Sequence, residues 1–271
     1  MLLLARSRAR LPGLDEPVVL DDFETFAGSQ LLPLGISTAT GQLSWFVYAL
    51  DSSPHRRSGR LTPVQQRRLA VLERTHRRPR RGGYARSFSR QLSRLLACSR
   101  GGPVTAVSDA HGAYATALQR HPLRDQVRHL VYPNPRRGPK GSPRSPYAVE
   151  RDRAMFPNDL LHGLIRHSAA HHRRETVAFG RRANAVMERA WLFAVWRNFV
   201  KRRSERQAGT SGSPAMCLAL TDRLWSWERV FGQRLQPSRV KVDAEEARVY
   251  ARELVTPTAG RNQRHALRLA Y

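Results

Sequence analysis

The fold of this chain is decided by Val18–Phe26, VVLDDFETF, in which an apolar run leads directly into acidic residues. The apolar residues predict a buried β-strand. A second apolar run, Val104–Ser108, ends immediately before Asp109. A buried carboxylate costs free energy unless it is paired or bound to a metal ion. Asp21 in the first run and Asp109 after the second are therefore candidate metal ligands.

The elements around these two runs predict a mixed sheet. Strand-like runs follow at residues 30–38 and 42–50, and Thr40-Gly41 between them is typical of a hairpin turn. Helical spacing then predicts helices over residues 62–81, 84–97, 112–119, 156–174 and 184–206, with a fifth strand at residues 127–132. This order indicates an α/β fold with a mixed sheet flanked by helices. Acidic residues occur on the first strand, just after the fourth strand and on a late helix. This placement is typical of a ribonuclease H-like arrangement.

The late-helix acid is Glu188. It shares the spacing i, i+4, i+7, i+11 with Leu192, Val195 and Phe199, which predicts that its carboxylate lies in an apolar stripe. Arginines and a lysine fall on the other side of that helix. A catalytic carboxylate and a buried salt bridge to an arginine explain this position equally well.

The charge of the chain indicates a polyanionic partner. The 271 residues contain 47 Lys and Arg against 21 Asp and Glu, giving a net charge of +26 and an isoelectric point near 11.6. Arginine far outnumbers lysine, which GC-rich coding explains, but such coding does not explain the shortage of acids. We therefore expect binding to nucleic acid phosphates.

Cysteine use and hydropathy bear on the compartment. Cys98 and Cys217 lie far apart and lack metal-ligand spacing, so neither a disulfide framework nor a zinc ribbon is indicated. The short apolar start is followed at once by arginines, unlike a signal peptide. A cytoplasmic, nucleoid-associated protein without a membrane partner is expected.

Composition suggests three segments. Residues 1–16 are predicted to be a basic, poorly ordered leader, residues 17–207 a catalytic domain with a helical insertion after its third strand, and residues 208–271 a linker with a small helical appendage. Within the domain, residues 134–144 form a basic loop that suits either a phosphate backbone or a solvated linker.

Other groups of polar and aromatic residues have simpler explanations. His167, His171 and Glu175 recur at helical spacing, but the segment lacks the internal glutamate of a zinc hydrolase helix, so a polar DNA-facing helix is favoured. The aromatic residues around Trp191 are more typical of a core than of base stacking. Ser108, Asp109 and His111 are close in sequence, yet no nucleophile elbow surrounds the serine.

Three blocks in this order resemble bacterial insertion-sequence transposases of the DDE class. The blocks are Val18–Phe26, Val107–Tyr114 and Met187–Lys201, and the resemblance spans roughly residues 17–240. Related sequences have a small residue where this chain has Asp22, so Asp22 rivals Asp21 as the first acid. The chain also shows neither the zinc ribbon nor the helix-turn-helix that such proteins usually carry before the first catalytic strand.

The resemblance implies metal-dependent transposition. Asp21, Asp109 and Glu188 would hold two Mg²⁺ ions, or Mn²⁺ in their place, and the partners would be transposon ends and target DNA, bound by a homo-oligomer. The alternatives are a nuclease of the same fold without strand transfer, and an inactive transposase fragment that binds nucleic acid non-specifically.

Overall fold

One mixed β-sheet organises the chain. The computed structural model describes residues 1–75, 78–136, 138–139, 141–173, 178–207 and 211–256. The sheet has the strand order β3-β2-β1-β4-β5. Its strands are β1 (Val18–Phe26), β2 (Pro33–Gly41), β3 (Val47–Pro54), β4 (Val104–Ser108) and β5 (Val127–Val131).

The pairing of β1 sets the position of its acidic residues. β1 runs antiparallel to β2 along its whole length and parallel to β4, which in turn runs parallel to β5. β2 and β3 are antiparallel. The three parallel strands therefore end at one edge of the sheet. The predicted mixed sheet flanked by helices is confirmed.

Helices cover both faces of the sheet. α3 packs on β2, β3 and β4, whereas α5 packs on β1, β2 and β4, and Val19 and Val107 are buried under α5 with Met155. The helices are α1 (Leu2–Arg10), α2 (Pro63–Thr75), α3 (Gly83–Ser99), α4 (Gly112–Gln119), α5 (Pro146–Ser168), α6 (Ala183–Val195), α7 (Pro214–Cys217), α8 (Trp227–Phe231) and α9 (Ala244–Tyr250). Among the residues that the structure describes, no helix is both long and apolar enough to cross a membrane.

The N-terminal segment is part of the core, so the prediction of a poorly ordered leader was wrong. Leu3, Leu4 and Leu11 are buried in the main hydrophobic cluster. Arg8 donates to the carbonyl of Tyr48 on β3 and to the carboxylate of Glu246 on α9. The three leucines supply the apolar face that the basic composition had concealed.

The C-terminal residues also join this core. Ala215, Trp225 and Val249 belong to the same hydrophobic cluster as the sheet. The described residues 211–256 thus pack on the sheet domain, and do not form the separate appendage that composition suggested. Their helices are short, of four, five and seven residues.

The β2–β3 connection differs from the predicted hairpin. Thr40 and Gly41 lie inside β2, and the chain turns through residues 42–46. The buried carboxylate of Glu16 accepts hydrogen bonds from the backbone of Leu43 and Ser44 and from the hydroxyl of Tyr48. The turn is therefore held by an acid from the preceding segment, which local turn signals do not show.

A π-helical turn, Trp196–Val200, follows α6 and closes the edge of the sheet. The buried side chain of Asn198 accepts from the backbone N–H of Val47 at 2.8 Å and donates to its carbonyl at 2.9 Å. Both open backbone groups of Val47, on the edge strand β3, are thereby satisfied.

Candidate active site at the ends of β1 and β4

Asp21 and Asp109 occupy matching positions on neighbouring strands. Val18 pairs with Ala106 and Val19 with Val107 in the parallel ladder. Two residues further along the chain are Asp21, within β1, and Asp109, directly after the end of β4. Neighbouring strands lie about 4.8 Å apart, so the register brings the two acids side by side at the edge where β4 ends. The structure thus brings together two of the three predicted acids.

The electrostatics of Asp21 reflect this neighbour. Burial raises the pKa of Asp21 to about 7, and the negative charges of Asp109 and of Asp159 on α5 act in the same direction. The side chain is nevertheless 22% exposed, so solvent or a ligand reaches the carboxylate. A carboxylate that is costly to ionise, beside a second one, is the arrangement that a cation relieves.

Asp22 faces the opposite side of the sheet. The hydroxyl of Tyr114 on α4 donates to Asp22 Oδ2 at 3.0 Å, while Oδ1 is buried without a hydrogen-bond partner. Burial raises the pKa of Asp22 to about 8, and the hydrogen bond from Tyr114 opposes that shift. Gly35 leaves room for this side chain, since a Cβ there would lie 3.3 Å from Asp22 Oδ1. The geometry therefore favours Asp21 as the partner of Asp109.

Helix α5 follows β1 with a row of polar side chains spaced four residues apart. Asn158 donates to the carbonyl of Val19, His162 lies beside Asp21, and Arg166 donates to the carbonyl of Glu24. Four helical residues rise about 6 Å, close to the length of two strand residues, so the two repeats stay in step. This i, i+4, i+8 spacing is visible in the sequence and could have revealed His162.

The tautomer of His162 follows from its partners. The single hydroxyl proton of Thr38 is donated to the carbonyl of Asp21, so Thr38 Oγ1 accepts from His162 Nε2 at 3.0 Å. Burial lowers the pKa of His162 to about 3, which keeps the ring neutral. Its unprotonated Nδ1 then faces Asp21 Oδ2 at 3.7 Å. Two acceptors that face each other are stabilised by a proton or a cation between them.

Asp109 is oriented by the loops that follow β4 and β5. One carboxylate oxygen accepts from the backbone N–H of His111 at 2.9 Å, and the other accepts from the side chain of Asn134 at 3.2 Å. Asn134 begins the basic loop at residues 134–144, of which Arg137 and Lys140 lie outside the described residues. The loop thus starts at the candidate site.

Glu188 is placed differently from the prediction. Its side chain is 39% exposed, and Arg252 binds both carboxylate oxygens at 2.6 and 2.9 Å. Leu192, expected in the same buried stripe, is 47% exposed, whereas Arg197, expected on the solvent side, is buried. Val195 and Phe199 of the predicted stripe are buried, but the prediction for Glu188 and Leu192 was wrong. The buried residues of α6 are Ala183, Val186, Met187, Ala190, Trp191, Ala194 and Val195.

The other groups of residues from the sequence lie outside the pair of aspartates. The His171 ring contacts His172 in a tilted arrangement with ring centres 4.2 Å apart, and Glu175, the third member of that predicted row, lies outside the described residues. Trp191 is buried in the core. Ser108 Oγ contacts His129 Nε2 at 2.8 Å on the neighbouring strand, and donates to the carbonyl of Asp109.

A divalent cation fits the two aspartates. Mg²⁺ is commonly held by one or two carboxylates together with substrate phosphates, so Asp21 and Asp109 supply a sufficient protein contribution. Within the described parts of the chain, no group of three or more His, Cys, Asp or Glu side chains is arranged to hold a metal ion. Any third protein ligand would have to move into place.

Comparison with known proteins gives no match: no family model fits the chain, and no curated protein or solved structure is similar to it.

Proposed function

We propose that this chain is a ribonuclease H-like catalytic domain that cleaves and joins DNA strands as a DDE-class transposase. The proposal is supported by the parallel register of β1 and β4, which, continued by two residues, puts Asp21 within β1 beside Asp109 directly after β4. The five-stranded mixed sheet is compatible with that fold. The net charge of +26 supports a nucleic acid substrate.

In the proposed reaction, Asp21 and Asp109 would hold Mg²⁺ together with a phosphate group of the DNA. The ion supplies Lewis-acid stabilisation of the charge that develops on the phosphate oxygens. Water attacks the phosphorus in strand cleavage, the P–O3′ bond breaks and a 3′-hydroxyl leaves. In the joining step, that hydroxyl attacks a phosphorus of the target DNA, the target's own P–O3′ bond breaks, and the proton of the attacking hydroxyl ends on the released 3′-oxygen. His162 and Thr38 orient Asp21, and Asn134 orients Asp109.

Glu188 enters the proposal through the sequence resemblance. In the structure its carboxylate is bound by Arg252, so a role as third ligand requires exchange of that partner. The two aspartates carry the proposed chemistry, and the role of Glu188 is a separate question for mutagenesis.

Nicking of a supercoiled plasmid in the presence of Mg²⁺ tests the proposal. We expect the wild type to nick, and Asp21→Asn and Asp109→Asn to lose nicking while still binding DNA. Asp125→Asn is the matched control, because this side chain is 92% exposed and precedes β5 at the opposite edge of the sheet. Nicking by both active-site variants at the wild-type rate would disprove the assignment. An inactive wild type would support the alternative of an inactive fragment.

A further inference from the structure

The segment between β3 and α3 concentrates positive charge. We name its described residues, 55–75 and 78–82, the basic arm. They contain nine arginines and one glutamate, which gives 9 − 1 = +8 of the net charge of +26 in about a tenth of the chain. The arginines, all exposed, are Arg56, Arg57, Arg60, Arg67, Arg68, Arg74, Arg78, Arg80 and Arg81.

The topology places the basic arm at the active-site end of the sheet. The arm leaves β3 at Pro54, which pairs with Leu34 at the start of β2, and the start of β2 pairs with the end of β1 at Phe26. From Asp21, β1 continues towards the end of the sheet where the arm begins. Phe26 lies five positions further along the strand, about 17 Å away.

Helix α2 of the arm has two different faces. Leu69 and Leu72 point inward and line a cavity of about 490 Å³ with Leu31 and Leu34 of the sheet domain. The outward face carries Arg67, Arg68 and Arg74, with Val64 and Val71 between them. The single acid, Glu73, is neutralised by its ion pair with Arg78. The outward face therefore presents three arginines and two valines, with Gln66 as an uncharged polar neighbour.

A cleft lies between the first residues of the arm and the C-terminal half of β1. It has a volume of about 430 Å³ and lies between the arm and the end of α5, with Arg57 on one side and Arg166 and Arg173 on the other. Glu24 and Thr25 of β1 form part of its lining. Glu24 accepts a hydrogen bond from Tyr84 and lies 3.3 Å from His55 Nε2, so its charge is partly offset.

We propose that the basic arm binds the sugar–phosphate backbone of duplex DNA and leads the strand through the cleft to Asp21 and Asp109. Guanidinium groups pair with phosphates in bidentate geometry, and such contacts fix the register of the duplex without reading sequence. The choice of DNA as the ligand of the basic arm rests on the proposed function, but DNA binding by the arm can be measured without cleavage.

The test compares three triple variants by the salt dependence of binding to a short duplex of arbitrary sequence, in EDTA. The first changes Arg67, Arg68 and Arg74 to Gln, and the second changes the same residues to Lys. The control changes Arg100, Arg120 and Arg124 to Gln, because these exposed arginines lie near the starts of β4 and β5, at the opposite edge of the sheet.

We expect the first variant to lower the slope of log K against log salt by about 2.7, since each lost phosphate contact removes about 0.9. Affinity at physiological salt should fall at least about tenfold. The Lys variant should keep the slope, because the phosphate contact depends on charge, and the control should resemble wild type. Thermal melts should be unchanged, since all the altered side chains are exposed.

Equal slopes for the arm variant and the control would overturn the proposal. A slope that changes as expected while wild-type protein fails to nick DNA would reject the proposed catalytic function and leave the basic arm as a DNA-binding surface. The two failures are therefore distinguishable.

Discussion

Replacing Asp21 with Asn should stabilise the metal-free protein while abolishing cleavage. Burial and the charge of Asp109 raise the pKa of Asp21 to about 7 from an ordinary value of 3.8. The folded protein thus binds this proton more tightly than the unfolded chain, and ionisation of Asp21 costs stability as pH rises. The penalty is absent below about pH 4, grows up to pH 7 and is complete above that.

The size of the penalty follows from the same values. The pKa of Asp21 differs by about three units between the folded and unfolded states, and each unit corresponds to roughly 1.4 kcal/mol. The penalty is therefore at most about 4 kcal/mol, because the side chain still contacts solvent. Asn keeps the side-chain oxygen that accepts from the backbone N–H of Asp22 at 2.8 Å, so this hydrogen bond survives. The variant should therefore be more stable than wild type at pH 8 and equally stable at pH 4.

Urea unfolding in EDTA from pH 4 to pH 8 measures this difference, with Asp125→Asn as control. Addition of Mg²⁺ should then stabilise wild type and leave Asp21→Asn unchanged, because a ligand that binds only the folded state raises its stability. A variant that is less stable than wild type at pH 8, or a difference that does not vary with pH, would refute the reasoning.

Four further variants test other parts of the structure. His162→Leu should lower the nicking rate about 10- to 100-fold at limiting Mg²⁺, because loss of a residue that orients a metal ligand weakens metal affinity. The rate should recover at higher Mg²⁺, and an unchanged Mg²⁺ titration would exclude this role of His162. If Glu188 exchanges Arg252 for a metal ion as the third ligand, Glu188→Gln should abolish nicking; the melting temperature should change little, since its ion pair is exposed. Full activity would remove Glu188 from the site. The buried carboxylate of Asp51 on β3 binds Arg90 and Arg94 of α3. Asp51→Ala should lower the free energy of unfolding in urea by about 1–3 kcal/mol, because both arginines lose this partner while Arg94 keeps Asp243; an unchanged urea midpoint would exclude this role. Asn198→Ala should lower the free energy of unfolding by about 2–5 kcal/mol, because the N–H and C=O groups of Val47 on β3 lose their hydrogen-bond partner. An unchanged urea midpoint would contradict this.

The strands and helices with strong local patterns were predicted well from the sequence. The bounds of β1, β4 and α4 agree with the prediction, because an apolar run or a regular helical spacing is bounded there by Gly, Pro or acidic residues. Helix α5 begins ten residues earlier than predicted. Ser145 caps its first turn and Pro146 follows, a start signal that the search for apolar spacing passed over.

Tertiary partners explain the larger errors. Glu188 was expected in the core because its neighbours at helical spacing are apolar, but the face that packs is set by β3 and α9. Arg197 is buried beside Trp45, a contact between residues 152 positions apart. Such contacts leave no signal in a local window. The pairing of Asp21 with Asp109 was foreseeable, because both follow apolar runs that predict adjacent parallel strands.

The ion pair between α1 and α9 forms late during synthesis on the ribosome. Arg8 and Glu246 form a buried ion pair across 238 positions of sequence. Helix α1 is synthesised 238 residues before its charged partner on α9, a delay of about 12–48 s at roughly 5–20 residues per second. Until then the leucines of α1 lack part of their final cover, so a nascent or truncated chain offers an apolar helix to chaperones and to other unfinished copies.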